Sequence, residues 1–214
     1  MFDLDGVVLD SMTWHIRAWQ ELFSSMGIKV DDEVLYLNEG AIEHSHLKDK
    51  MSEHGFKEPN LINGLLSKQA AIFNAKYSSL VAPFPDASAV MDRLTGSGLA
   101  LALVTSSSGQ VVDRSLPKEL LSKFATVVTG DAVSQGKPHP EPYLTALARL
   151  DLPARAGLAV ENAPAGIRSA RDAGLVCFAL TTTLAAKHLS GAQAVFGSLT
   201  HLAQNLLLGR PART

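Results

Sequence analysis

The sequence predicts an α/β protein: a doubly wound, parallel-sheet, Rossmann-like core with an α-helical cap domain inserted into it. Three observations predict this. Four short apolar runs rich in β-branched residues recur through the second half; helix-like stretches separate them; and residues 11–80 carry helical periodicity with no convincing strand. Strands buried on both faces and alternating with helices form parallel sheets.

The expected strands are 99–105, 125–129, 157–160 and 175–180, with helices over 86–95, 108–122, 141–150 and 163–173. Earlier in the chain, Met12, Ile16, Trp19, Phe23 and Met26 recur at helical spacing, so 11–26 reads as an amphipathic helix, and 61–80 reads as another. Pro83 and Pro85 stop that helix. The expected division is therefore a discontinuous core, 1–10 and 82–214, around a cap at 11–81. Only Met1 and Phe2 precede Asp3. A buried strand needs roughly 4–8 residues, so the sequence is expected to begin inside one.

Of the 214 residues, 46% are hydrophobic and 19% charged, with a net charge of −2. That length buries a sizeable core, and the near-neutral charge gives no reason to expect a nucleic acid partner. Cys177 is the lone cysteine, within an apolar run, and reads as a buried core thiol in a reducing compartment. No apolar run reaches the ~18 residues of a membrane span. The expectation is a cytoplasmic protein, monomeric, with a dimer as the alternative.

Ligands of doubly wound sheets bind beyond the carboxyl ends of the strands. This directs attention to Thr105, Gly130 and Glu161-Asn162, and to the acidic pair that opens the chain, Asp3-Leu-Asp5-Gly6-Val. Singly, each has a bland reading: solvated loop acids, a strand terminus, a surface lysine at Lys137. Ser107 and Ser108 read as a helix N-cap, and Asp10 and Ser11 as the start of the first helix. Pro138 keeps Lys137 in a loop.

Together, Asp3-x-Asp5-Gly-Val, Thr105-Ser-Ser, Gly-Lys137-Pro-His-Pro-Glu-Pro and Glu161-Asn-Ala-Pro-Ala-Gly, with a helical insertion after the first, resemble the haloacid dehalogenase-like hydrolase superfamily. The resemblance covers nearly the whole chain and extends to its β-phosphoglucomutase-like subfamily. It implies a Mg²⁺-dependent phosphatase acting on a small phosphomonoester such as a sugar phosphate. A phosphate monoester repels an attacking carboxylate by roughly 4 kcal/mol at 4 Å and an effective dielectric of 20, so such a site must supply positive charge and fixed donors.

On the resemblance, Asp3 is the nucleophile that forms an aspartyl phosphate, and Asp5 is general acid and then general base. Gly6 permits the sharp turn beside the phosphoryl group. Thr105 and the Ser106 amide hold phosphoryl oxygens, and Lys137 offsets the developing charge. Asp3, the backbone carbonyl of Asp5, Glu161 and Asn162 form the metal site. Relatives acting on sugar phosphates commonly carry Glu-Asp where this chain has Glu161-Asn162. Weaker Mg²⁺ binding is expected, which Asn162→Asp should tighten.

His15 matches a histidine that the subfamily places near the general acid; alternatively it lies on the apolar stripe between Met12 and Trp19. Glu43 stands where the mutases carry an arginine for a second phosphate, and a carboxylate there favours a phosphatase. His44 and His46, two apart, do not share a helix face and are not expected to bind metal. The alternatives are a phosphohexomutase, which shares every core residue, and a weakly active phosphometabolite-binding protein. A metal-free dehalogenase has no use for Asp5.

Overall fold

The computed structural model describes residues 1–39, 45–55 and 61–208. A parallel sheet forms its centre. Strands β1 (Ala102–Val104) and β2 (Thr126–Val128) pair in one ladder, and β3 (Leu158–Glu161), β4 (Val176–Leu180) and β5 (Ala194–Phe196) in another. Phe2 joins them, bridging Leu103 on one side and Val160 on the other. The order is β2-β1-(Met1–Asp3)-β3-β4-β5, so the acidic pair leaves the middle of the sheet.

The cap region contains α1 (Met12–Ser25), α2 (Asp32–Glu39), α3 (Ser45–Glu53) and α4 (Leu61–Ile72). Ile16, Trp19, Leu22 and Phe23 of α1 form a cluster with Leu35, Leu47, Met51, Ile62 and Leu65. Every member of this cluster falls between residues 11 and 81. The 61–80 stretch is not one uniform helix: a π turn (Phe73–Tyr77) and a 3₁₀ turn (Ser78–Leu80) follow α4. The π turn carries Phe73, which stacks on the His15 ring with centroids 3.9 Å apart.

The core helices are α5 (Ala87–Gly96), α6 (Gly109–Ser115), α7 (Lys118–Leu121), α8 (Glu141–Leu150), α9 (Pro164–Asp172) and α10 (Leu199–Leu208). The helix expected over 108–122 is two, because Leu116 before Pro117 takes extended angles (φ −103, ψ 123). Alternation along the strands sorts the packing. Leu103, Val160 and Leu180 face α5, α6, α7 and α10, whereas Ala102, Val104, Ala159, Cys177 and Ala179 face α8 and α9. Helices on both faces give the three-layer, doubly wound arrangement. Each fully buried Leu or Val contributes about 1.5–3 kcal/mol. Among the described residues, no helix is long and apolar enough to cross a membrane.

Candidate active site

Parallel strands point their carboxyl ends the same way, so the loops after Phe2, β1 and β3 meet at one edge of the sheet. They surround a cavity of about 380 Å³ lined by Asp3, Asp5, Thr105, Ser106, Ser107, Lys137, Glu161 and Asn162. Met12, His15 and Glu39 line it from the cap side.

Lys137 sits at the centre of the charge arrangement. Its Nζ donates to Asp3 Oδ1 at 2.7 Å, to Glu161 Oε1 at 2.6 Å and to the Val104 carbonyl at 2.9 Å. Tyr143, from the first turn of α8, donates its hydroxyl to the same Glu161 oxygen at 2.6 Å. Glu161 is 1% exposed. A carboxylate so deep needs both donors to offset its lost hydration. Gly166 leaves room for it: a Cβ there would fall 2.1 Å from the Glu161 carboxyl.

Asp3 and Asp5 meet opposite surroundings. Burial pushes Asp3 up to about 7, with Glu161 and Asp5 adding to the rise and Lys137 opposing it. Burial also acts to raise Asp5, but His15, Ser11 and Ser107 outweigh it and hold the carboxyl below its usual range. Ser11 Oγ donates to Asp5 Oδ1 at 2.7 Å and Ser107 Oγ to Asp5 Oδ2 at 2.9 Å. His15 Nε2 lies 3.9 Å from Asp5 Oδ1. Gln69, from α4, places its amide nitrogen 3.2 Å from the His15 carbonyl and 3.3 Å from Nδ1.

The serines stand at helix starts as expected, but their side chains bond elsewhere. Ser11 and Ser108 occupy the N-cap positions of α1 and α6, but neither side chain makes a capping bond. Ser11 and Ser107 instead donate to Asp5. A hydroxyl beside a helix start has the same signature in sequence whether it bonds the helix or a carboxylate from elsewhere. Tyr143 was also missed, as one aromatic on an amphipathic helix. Gly130 does not line the cavity; a Cβ on it would lie 2.1 Å from the Ser106 carbonyl oxygen, so it serves close packing.

Thr105 is 2% exposed, and its hydroxyl accepts the Ser107 N–H at 3.0 Å, which folds the Thr105–Ser107 turn over the site. Gly6 has φ +77, which favours glycine, and its carbonyl accepts a bond from the Thr182 hydroxyl. Asn162 donates through Nδ2 to Thr183 Oγ1 at 2.6 Å. Glu43, His44 and the side chain of His46 lie outside the described residues.

Among the described residues, no three His, Cys, Asp or Glu side chains form a ready metal cage. The oxygens do suit Mg²⁺, which takes one or two carboxylates, other oxygens and waters. Asp3 Oδ2, the Asp5 carbonyl and Asn162 Oδ1 accept no hydrogen bond from the described residues. Glu161 Oε2 has only the Asn162 N–H, at 3.4 Å.

A buried ion-paired carboxylate at the end of the central strand, with a second carboxylate two residues on, belongs to a recognisable group of enzymes. The model of the family described as haloacid dehalogenase-like hydrolase matches residues 1–180, and the chain belongs to that family. It is 30% identical over 203 residues, 94% of each chain, to validoxylamine A 7'-phosphate phosphatase of Streptomyces hygroscopicus subsp. limoneus. It is 34% identical over 194 residues to protein CbbY of Rhodobacter capsulatus, covering 82% of this chain and 81% of that one. Its fold is that of a solved hydrolase from Pseudomonas syringae, with a TM-score of 0.80 and 23% identity over 98% of both chains.

Proposed function

We propose that this chain is a Mg²⁺-dependent phosphatase that hydrolyses a small phosphomonoester of the sugar-phosphate class through an aspartyl phosphate on Asp3. The observation that carries this is the Asp3–Lys137–Glu161 ion cluster facing the same cavity as Asp5. Asp3 attacks phosphorus while the bond to the leaving oxygen breaks, and Asp5 gives that oxygen a proton. Water then attacks the aspartyl phosphate, Asp5 takes its proton back, and inorganic phosphate leaves.

Lys137 offsets charge on the transferring group, and Tyr143 and Glu161 hold its ammonium in place. Thr105 and the Ser106 amide hold phosphoryl oxygens. Asp3, the Asp5 carbonyl, Asn162 and Glu161 through Oε2 would hold Mg²⁺, which when bound supplies positive charge beside the phosphoryl oxygens. His15 is the titratable group placed to exchange a proton with Asp5.

The region 11–81 acts as a cap. Tyr36 and Leu37 of α2 pack on the core, and Glu33 pairs with Lys187 at 3.2 Å, which describes a closed arrangement. The cavity, about 380 Å³, suits a small molecule.

The test is phosphate release from a panel of sugar, polyol, nucleotide and aryl phosphates, with Mg²⁺, with chelator and with Asp3→Asn. Mg²⁺-dependent release that vanishes in Asp3→Asn is expected. Isomerisation of a hexose phosphate that requires a bisphosphate primer would replace this reading with the mutase, and binding without turnover would replace it with a phosphometabolite-binding protein.

A further inference from the structure

Glu39 has no part in the chemistry above, yet its carboxylate lines the cavity. It belongs to α2, on the cap side of the cavity. It also shares the cavity with Asp3, Asp5 and Glu161. The structure holds it in place: the indole N–H of Trp19, a side chain with no exposure, donates to Glu39 Oε1. The neighbouring charge is felt at His15, which Glu39 helps to push up. A carboxylate fixed by a buried donor and facing the cavity is positioned to touch what the cavity holds.

The direction of the leaving group follows from the core. The phosphoryl group must sit against Asp3 and Lys137 at the core end of the cavity, so the rest of the ester extends toward Met12, His15 and Glu39 on the cap side. We propose that Glu39 selects the leaving group: it accepts hydrogen bonds from hydroxyls on the substrate's far part and excludes esters that carry a second anionic group there. This rests on the phosphatase reading and adds to it the kind of ester taken, a monophosphate of an uncharged polyhydroxy compound. Trp19 is the positioning residue that aims Glu39.

Two pairs of esters that differ only at the far carbon test it: glycerol 3-phosphate with 3-phosphoglycerate, and sorbitol 6-phosphate with 6-phosphogluconate. In each pair a CH₂OH replaces a carboxylate and the scissile bond is unchanged. The readout is the ratio of kcat/KM, neutral over anionic, in wild type, Glu39→Gln and Trp19→Phe. A ratio taken within one preparation is independent of the fraction folded. The wild type is expected to favour the neutral member by at least about tenfold in one pair, Glu39→Gln to reduce that ratio about tenfold, and Trp19→Phe to reduce it less.

A wild type without preference for the neutral member, or a ratio unmoved in Glu39→Gln, overturns the proposal. If neither pair turns over while p-nitrophenyl phosphate is hydrolysed in an Asp3-dependent way, the proposal falls and the phosphatase reading stands. If that ester too is inert, both fall.

Discussion

Lys137 is the cation between two buried carboxylates, with its own side chain 7% exposed against 13% for Asp3 and 1% for Glu161. Removing one partner of a buried ion cluster leaves uncompensated charge, which costs about 3–5 kcal/mol. Lys137→Met should therefore lose about that much stability in urea denaturation as well as its turnover; an unchanged midpoint would show that the cluster is not closed. The Asp5–His15 pair gives a pH dependence. Burial acts to lower His15, but Asp5 and Glu39 outweigh it and lift His15 above its ordinary 6.5. A group raised on folding stabilises fully below its unfolded value and loses that contribution as pH rises through the folded one. Asp5 is lowered below its ordinary 3.8, so its part is present above that value and is lost as pH falls through the folded one. The Tm gap between wild type and His15→Gln, without added Mg²⁺, should be widest near about pH 6 and narrow toward about pH 9. A gap that widens on the alkaline side contradicts the pairing. Thr105, Glu161 and Asn162 could be found in the sequence because each ends or adjoins a strand of strong apolar pattern, and Asp3, Asp5 and Lys137 through the motifs they form with them. Ser11, Ser107 and Tyr143 could not, because their partners lie far away in the chain, as with the 102 positions between Ser107 and Asp5.

The four strands that face helices on both sides announce themselves as continuous apolar runs, because parallel sheets bury both faces. β5 does not: Ala194-Val-Phe196 is three residues long and only partly buried. Helix α2 was equally hard to read, since it spans eight residues and its apolar run Val34-Leu-Tyr-Leu37 is too short to tell a helix from a strand. The expectation of one helix over 108–122 ran through Pro117, whose effect on Leu116 is what separates α6 from α7. The turn at Gly6 is an element-scale feature with a sharp consequence. A Cβ there would fall 2.1 Å from Asn162 Nδ2, 2.6 Å from Thr183 Oγ1 and 2.9 Å from Met12 Cγ, on a backbone already at φ +77. Strain of this kind costs about 1–3 kcal/mol for the backbone alone. Gly6→Ala should lower the urea midpoint accordingly and displace Asn162, and a full-strength midpoint would show that the turn can relax.

At the scale of the whole molecule, the two faces of the sheet and the cap cluster each bury their own set of side chains, and Cys177 reports on one of them. Its thiol is 1% exposed on β4, and burial pushes it far above the usual thiol range. Native protein should resist iodoacetamide, and labelling should rise with denaturant in step with global unfolding. Labelling before the loss of structure would reveal local opening of the sheet. The placement of Met1–Asp3 between β1 and β3 bears on biosynthesis. Phe2 donates to the Ala102 carbonyl at 2.8 Å, and Val160 donates to the Met1 carbonyl at 2.9 Å. Met1 and its partner Leu158 are separated by 157 positions, an interval that translation covers in roughly 8–30 s at typical speeds. Throughout that time the Asp3 segment lacks its β3 neighbour, with β1 the one strand it can pair with. The cavity that Asp3 and Asp5 share with Glu161 and Asn162 cannot exist on a nascent chain that has not yet reached β3.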